Sequence, residues 1–173
     1  MRGGSPCLGA CTRDDGLANV ATMSRGRVLP SGKGSALLLR ERGDPVRGKA
    51  LLDEAETLAR ESGDLPAIAT TIVDRGFAML DGRGDANLAT TLGEEGLSLF
   101  EAEDIPWGIT ASRTLLARAA EQRGDLAGAE QLNSQLMADF RRNGGDPYQA
   151  AHTLYSLGTL ARRRGNDVQA ATF

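Results

Sequence analysis

The chain has few of the residues on which most reaction chemistry depends. It contains one histidine, His152, and two cysteines, Cys7 and Cys11, which both lie near the N-terminus. No Ser or Cys stands at a spacing that pairs it with a base, so nothing predicts a nucleophilic triad. Two thiols with no second Cys pair and no nearby His are read as free thiols rather than metal ligands. The sequence therefore predicts a protein that is not an enzyme and that holds no metal or cofactor.

Strong net charge and long apolar runs are also missing. The formal net charge is −3 at pH 7, which gives no electrostatic reason to expect direct binding of nucleic acid or of an anionic membrane surface. No apolar run approaches the roughly 20 residues that a membrane span requires, and no signal-peptide core follows Met1. We therefore expect a cytoplasmic protein. Aromatic residues make up only 4% of the chain, so Ala and Leu must supply most of the core.

Residues 1–34 are rich in Gly, Ser, Arg and Pro and show no helical periodicity. This composition predicts a disordered leader. The stretch from Gly26 to Gly34 has some likeness to a phosphate-binding loop, which needs four residues between Gly and Gly-Lys and then Ser or Thr. Here five residues intervene, and Gly34 follows Lys33. The comparison favours a flexible leader over a nucleotide site.

The strongest signal in the sequence is a turn that recurs along the chain. It is the tripeptide Arg-Gly-Asp or the variant Arg-Gly-Asn, and its glycines are spaced 41, 40 and 41 residues apart: Gly43, Gly84, Gly124 and Gly165. A second series of turn signals alternates with the first: Gly63-Asp64, Glu103-Asp104 and Gly145-Asp146. Two turns in each period of about 40 residues predict helical hairpins repeated in tandem.

Each residue of the tripeptide suits the junction between two helices. Glycine enters the left-handed conformation that often ends a helix without the steric cost of a Cβ. The preceding Arg places a cation beside the negative end of the helix, and the following Asp or Asn can cap the next helix. Arg-Gly-Asp is also an adhesion motif, but turn chemistry explains three copies at a fixed period better.

Between the turns, apolar residues recur at spacings of three and four, which predicts amphipathic helices. The predicted helices cover residues 45–61, 65–81, 86–102, 105–122, 126–142 and 147–164, with a short helix over 35–42 and the start of another over 167–173. A lone helix of about 17 residues is marginal in water, so neighbouring hairpins must cover one another. We expect Leu116 and Leu157 to be among the most buried residues.

One stretch near the C-terminus carries a family resemblance. Leu157-Gly158, followed by the turn Gly165 and by Ala170, resembles a tetratricopeptide repeat. Ala89 and Ala129 take the same place as Ala170 in the two preceding units. The period of about 40 residues is longer than the 34 of that family, Ala117 stands where Gly is expected, and Gly76 is displaced by one residue.

Lengthened repeats with Gly-Asp turns look most like the helical arrays of LuxR/MalT-like transcriptional activators and related ATPases. The resemblance implies an all-α fold over residues 35–173, a right-handed α-solenoid of tandem hairpins that is truncated at its C-terminal end. It also implies a concave groove lined by the first helix of each unit. Six residues that the resemblance places in this groove are the candidate ligand or partner contacts: Asp74, Arg118, Glu121, His152, Tyr155 and Arg162.

The predicted function is a non-catalytic protein or peptide interaction module of a bacterial signalling or transcriptional regulator. In this interpretation Arg118 and Arg162 hold a ligand carboxylate by paired hydrogen bonds, and Tyr155 forms an aromatic wall. The alternative for these residues is a solvated face with incidental charges. The alternative function is a small-molecule-sensing domain that controls an effector domain. A homodimer through the ends of the array is also possible on this interpretation.

Overall fold

A computed structural model of the chain describes residues 45–80, 84–144 and 146–172. The predicted leader, the predicted short helix over 35–42 and the first Arg-Gly-Asp turn lie outside the described residues. The described residues form seven helices and no strand: α1 Pro45–Ser62, α2 Leu65–Leu80, α3 Ala86–Ala102, α4 Pro106–Arg123, α5 Leu126–Asn143, α6 Pro147–Arg163 and α7 Asp167–Ala170. The described residues confirm the all-α class, and the bounds of α1 to α6 agree with the predicted helices to within one residue. The last helix, α7, begins at the predicted residue but ends at Ala170.

The Arg-Gly turns at Gly124 and Gly165 have the predicted left-handed geometry. Gly124 and Gly165 have φ angles of 80° and 75°, in the left-handed region. After Gly124, the Asp125 N–H donates to the Ala120 carbonyl at 2.9 Å, which closes the end of α4. The Asp125 side chain then accepts a hydrogen bond from the Gly128 N–H at 2.9 Å and so caps α5.

The arginine of each turn has a further role that the sequence did not reveal. Arg123 donates a hydrogen bond to the Thr90 hydroxyl on α3 at 2.8 Å. Arg164 pairs with the Glu130 carboxylate on α5. Thr90 and Glu130 are both the fifth residue of their helices. These two arginines therefore tie the end of α4 to α3 and the end of α6 to α5.

The position of Asp104 just before α4 predicts that it caps this helix, but the structure shows that it does not. The N-cap of α4 is Ile105, which makes no side-chain capping bond, and Pro106 follows as the first helical residue. Asp104 has a φ angle of 50°, and the Ile105 N–H donates to the Phe100 carbonyl at 2.9 Å. This is the arrangement seen around Gly124. Because this turn has no glycine, Asp104 itself takes the left-handed place and the cap position passes to Ile105.

We expect Asp104→Gly to raise the free energy of unfolding by about 0.5–1 kcal/mol, because the left-handed conformation costs a residue with a Cβ more than it costs glycine. Urea unfolding followed by the fluorescence of Trp107, the single tryptophan, measures the change. The matched control is Glu103→Gly. Glu103 has a φ angle of −97°, so glycine relieves no strain there and only increases the conformational entropy of the unfolded chain, which lowers stability. A loss of stability in both variants would contradict the assignment.

Each described helix packs against the next, and α2 also packs against α4. The main core lies between α2, α3 and α4, and its buried residues are Ala69, Val73, Leu80, Ala89, Phe100, Leu115 and Ala119. A second cluster of Ala120, Ala129 and Leu160 joins α4, α5 and α6. Leu157, at 3% exposed, is deeply buried as predicted. Leu116 is buried too, but at 9% it is the most exposed of the buried apolar residues in the described ranges, so the prediction that it is among the most buried is wrong. None of the helices in the described ranges is both long and apolar enough to cross a membrane.

Equivalent positions are clearest when counted from the helix starts. The N-caps of α4 and α6 are Ile105 and Asp146, and Asp64 caps α2 by accepting from the Ala67 N–H at 3.1 Å. These three residues are spaced 41 and 41 apart. The residue twelve positions after the N-cap is small in all three helices: Gly76 in α2, Ala117 in α4 and Gly158 in α6. Counted in this way Gly76 is not displaced, because the N-cap of α2 lies 20 residues before its turn glycine, whereas those of α4 and α6 lie 19 residues before theirs.

Candidate functional site

Three helices contribute side chains to one open cavity of about 260 Å³. Its lining residues are Leu80 of α2, Arg118, Glu121 and Gln122 of α4, and Arg163 of α6. We call this cavity the groove. It opens to solvent, and all but one of its lining side chains are polar or charged. Such a surface can bind a charged segment without enclosing it.

The two arginines of the groove are not neutralised by ion pairs within the described chain. Arg118 lies over the Phe77 ring, with its guanidinium carbon 5.5 Å from the ring centroid, which fixes the direction of the side chain. No carboxylate oxygen of the described residues lies within 4.0 Å of Arg118 or Arg163. Arg75 and Arg113, by contrast, pair with Glu56 and Asp139, each at 2.6 Å. Within the part of the chain that the structure describes, no ion pair therefore occupies the hydrogen-bond donors of the groove arginines.

Glu121 is half-buried and lines the same groove as these arginines. Burial raises the pKa of its carboxyl group, because the charged form loses contact with water. A hydrogen bond from Asn133, and then the charges of Arg163, Arg118 and His152, act on this pKa in the opposite direction. The Asn133 amide donates to Glu121 Oε1 at 3.5 Å and to the Ala129 carbonyl at 2.9 Å. Asn133 thus holds the Glu121 carboxylate at the inner side of the groove.

The raised pKa of Glu121 predicts a pH-dependent effect of Glu121→Gln. A group whose folded pKa exceeds its unfolded pKa favours folding at low pH, and that contribution is lost as pH rises through the folded value. We therefore expect Glu121→Gln to melt at a higher temperature than the wild type at pH 7. The difference should shrink below pH 4.5, the ordinary Glu value. Thermal unfolding at both pH values measures it.

The control for this prediction is Glu94→Gln, which changes a carboxylate on the exposed face of α3. This variant should show no such pH-dependent gap. A stability difference for Glu121→Gln that is the same at pH 7 and below pH 4.5 would contradict the burial argument.

The structure brings only two of the six predicted contacts, Arg118 and Glu121, into the groove. Asp74 is 6% exposed and lies in the interior. Its equivalent on α4 is Leu115, which is fully buried. This position of the helix faces the core and not the groove, and the structure therefore removes Asp74 from the candidate contacts.

The three predicted contacts on α6 are exposed but do not line the groove. His152 does not line the groove, but its charge acts on the pKa of Glu121 in the groove. Tyr155, 69% exposed, is equivalent to Val73 of α2, which packs close to Gly96 of α3. Tyr155 therefore lies on the side of α6 that faces the following helix.

Arg162 is displaced from the groove by one position. It is equivalent to Leu80 and Glu121, the residues with which α2 and α4 face the next repeat. The groove is lined by α2, α4 and α6, and α6 contributes the side that faces back towards α4. That side carries Arg163, the equivalent of Gln122. The missed residues Gln122 and Arg163 could have been found by asking which side of each helix faces its predecessor.

No reactive constellation accompanies the groove. Within residues 45–80, 84–144 and 146–172, no cluster of three or more His, Cys, Asp or Glu side chains is placed to hold a metal ion. In the comparisons with known proteins, no protein-family model matches this chain, and no curated protein is found to be its relative.

Proposed function

We propose that this chain is a non-catalytic interaction module whose groove binds a peptide segment of a protein partner. Its hairpins form a right-handed α-solenoid, with α2, α4 and α6 as the layer that carries the groove. The regular spacing of the helix starts supports this arrangement, as does the burial of Ala89 and Ala129 at the Ala place of the tetratricopeptide-like pattern. That pattern also supports a place in a cytoplasmic bacterial signalling or transcriptional regulator of the LuxR/MalT-like kind.

One observation carries the proposal. Arg118 and Arg163 come from different repeats, line the same open groove and have no carboxylate of the described residues within 4.0 Å. A guanidinium offers five donors in a planar fork that matches a carboxylate. A partner carboxylate placed between two such groups forms charge-assisted hydrogen bonds. The small-molecule sensor has less support, because the groove is open to solvent and has one apolar lining residue.

The test is selection of binders from a displayed library of random 12-residue peptides on the purified chain. We expect peptides that contain carboxylates, and we expect Arg118→Ala and Arg163→Ala each to weaken their binding about tenfold, the loss of one charged hydrogen bond. Affinity should also fall as salt concentration rises. Fluorescence anisotropy of labelled peptides measures both effects.

The matched control is Arg141→Ala, which removes an exposed arginine from α5 outside the groove. Its affinity for the selected peptides should equal that of the wild type. If the library yields no binders, or if the selected peptides bind both groove variants as tightly as the wild type, the groove is not the binding site.

A further inference from the structure

Charges of both signs meet in the groove. Arg118 and Glu121 are three residues apart on α4 and so lie on one face of that helix, with their Cβ atoms about 5–6 Å apart. Arg163 of α6 lines the same cavity. A ligand group bound by the arginines therefore lies near the Glu121 carboxylate as well.

The negative charge cannot be ignored in the choice of ligand. Glu121 makes no ion pair within 4.0 Å with Arg118 or Arg163, although the charges of both arginines act on its pKa, so it can still take a ligand cation as an ion-pair partner. The buried Asn133, 5% exposed, holds it through the hydrogen bond to Oε1. A purely acidic peptide would bring like charges together at Glu121, and a purely basic peptide would do so at the arginines. Each arrangement opposes binding.

We infer that the groove recognises a peptide carrying an acidic and a basic side chain close together. The acidic group lies between Arg118 and Arg163, and the basic group pairs with Glu121. The separation of Arg118 and Glu121 suits ligand charges three or four residues apart on a helix, or two apart in an extended chain. Leu80 adds an apolar wall for the stem of the basic side chain. This inference rests on the proposed function, because it specifies the partner of the same groove.

The experiment uses the peptides selected from the random library on the wild-type chain. We expect them to contain both an acidic and a basic residue. Replacing the basic residue of a selected peptide by Gln should weaken its binding to the wild type about tenfold, the equivalent of one charged hydrogen bond. The same replacement should leave its affinity for Glu121→Gln unchanged. Glu121→Gln should likewise weaken the binding of the unaltered peptide about tenfold, because it removes the other partner of the same pair.

The outcomes separate the two proposals. Selected peptides that lack a basic residue, and that bind Glu121→Gln and the wild type equally well, would overturn the mixed-charge inference while leaving the groove as a peptide site. An empty selection would overturn the proposed function and this inference with it. Glu94→Gln serves as the control, because it changes a carboxylate on the exposed face of α3 and should preserve every peptide affinity.

Discussion

Phe100→Ala should lower the free energy of unfolding by about 3–5 kcal/mol. The Phe100 side chain is 1% exposed and belongs to the cluster in which α2, α3 and α4 meet. Its ring also lies edge-on to Trp107, with centroids 5.0 Å apart and an interplanar angle of 61°. Truncation removes these contacts and leaves a cavity at the junction of three helices. For a domain whose total stability is about 5–15 kcal/mol, this is a large share.

Urea unfolding followed by far-ultraviolet circular dichroism measures this loss, because Trp107 fluorescence would itself respond to the missing ring. The control is Phe140→Ala. Phe140 is as far from the α5 N-cap Asp125 as Phe100 is from the α3 N-cap Asp85, but it is only half-buried. Its truncation should cost less. Equal losses in the two variants would show that α3 does not form the centre of the core.

Two glycines at equivalent positions should respond to alanine with opposite signs. A Cβ on Gly76 of α2 would overlap the Cδ2 atom of Leu115, whose side chain is fully buried and would have to shift within the core. A Cβ on Gly158 of α6 would meet only the Ala170 carbonyl oxygen at 3.7 Å, an ordinary contact. We therefore expect Gly76→Ala to cost about 1–3 kcal/mol through overpacking. Gly158→Ala should gain about 0.5–1 kcal/mol through its higher helix propensity.

The same urea titration measures both variants, and each serves as the control for the other. The contrast follows from packing alone, because the two substitutions make the same chemical change at the same helical position. A gain of stability for Gly76→Ala would contradict the close approach of α2 and α4. A loss for Gly158→Ala would show that α6 is more tightly covered than the described residues indicate.

The helices and turns were predictable because local chemistry determines them. The glycine at each Arg-Gly turn, the Asp caps at Asp125 and Asp146, and the prolines at Pro106 and Pro147 act within a few residues of one another. The failure at Asp104 has the same local origin. Because this turn has no glycine, Asp104 adopts the left-handed conformation itself, and the N-cap of α4 moves one residue on, to Ile105.

Packing was less predictable. The spacing of apolar residues shows which side of a helix is apolar, but not which of those residues contact the neighbouring helix. Among the apolar residues of α1, Ala50 and Leu58 are exposed, whereas Leu52 is buried and only 6% exposed. The same ambiguity places Arg163 in the groove where the sequence indicated Arg162. In both examples, a shift of one residue around the helix decides whether a side chain faces the neighbouring helix. The sequence of one helix alone does not determine that shift, because it depends on how the neighbouring helix packs.

The most direct test of the groove is a nuclear magnetic resonance titration of the isotope-labelled chain with a selected peptide. We predict that the largest amide shift changes fall on the groove residues Leu80, Arg118, Glu121, Gln122 and Arg163, with little change at Glu94 and Glu95 on the exposed face of α3. Changes concentrated on α3, with the groove amides unmoved, would contradict the assignment of this surface as the binding site.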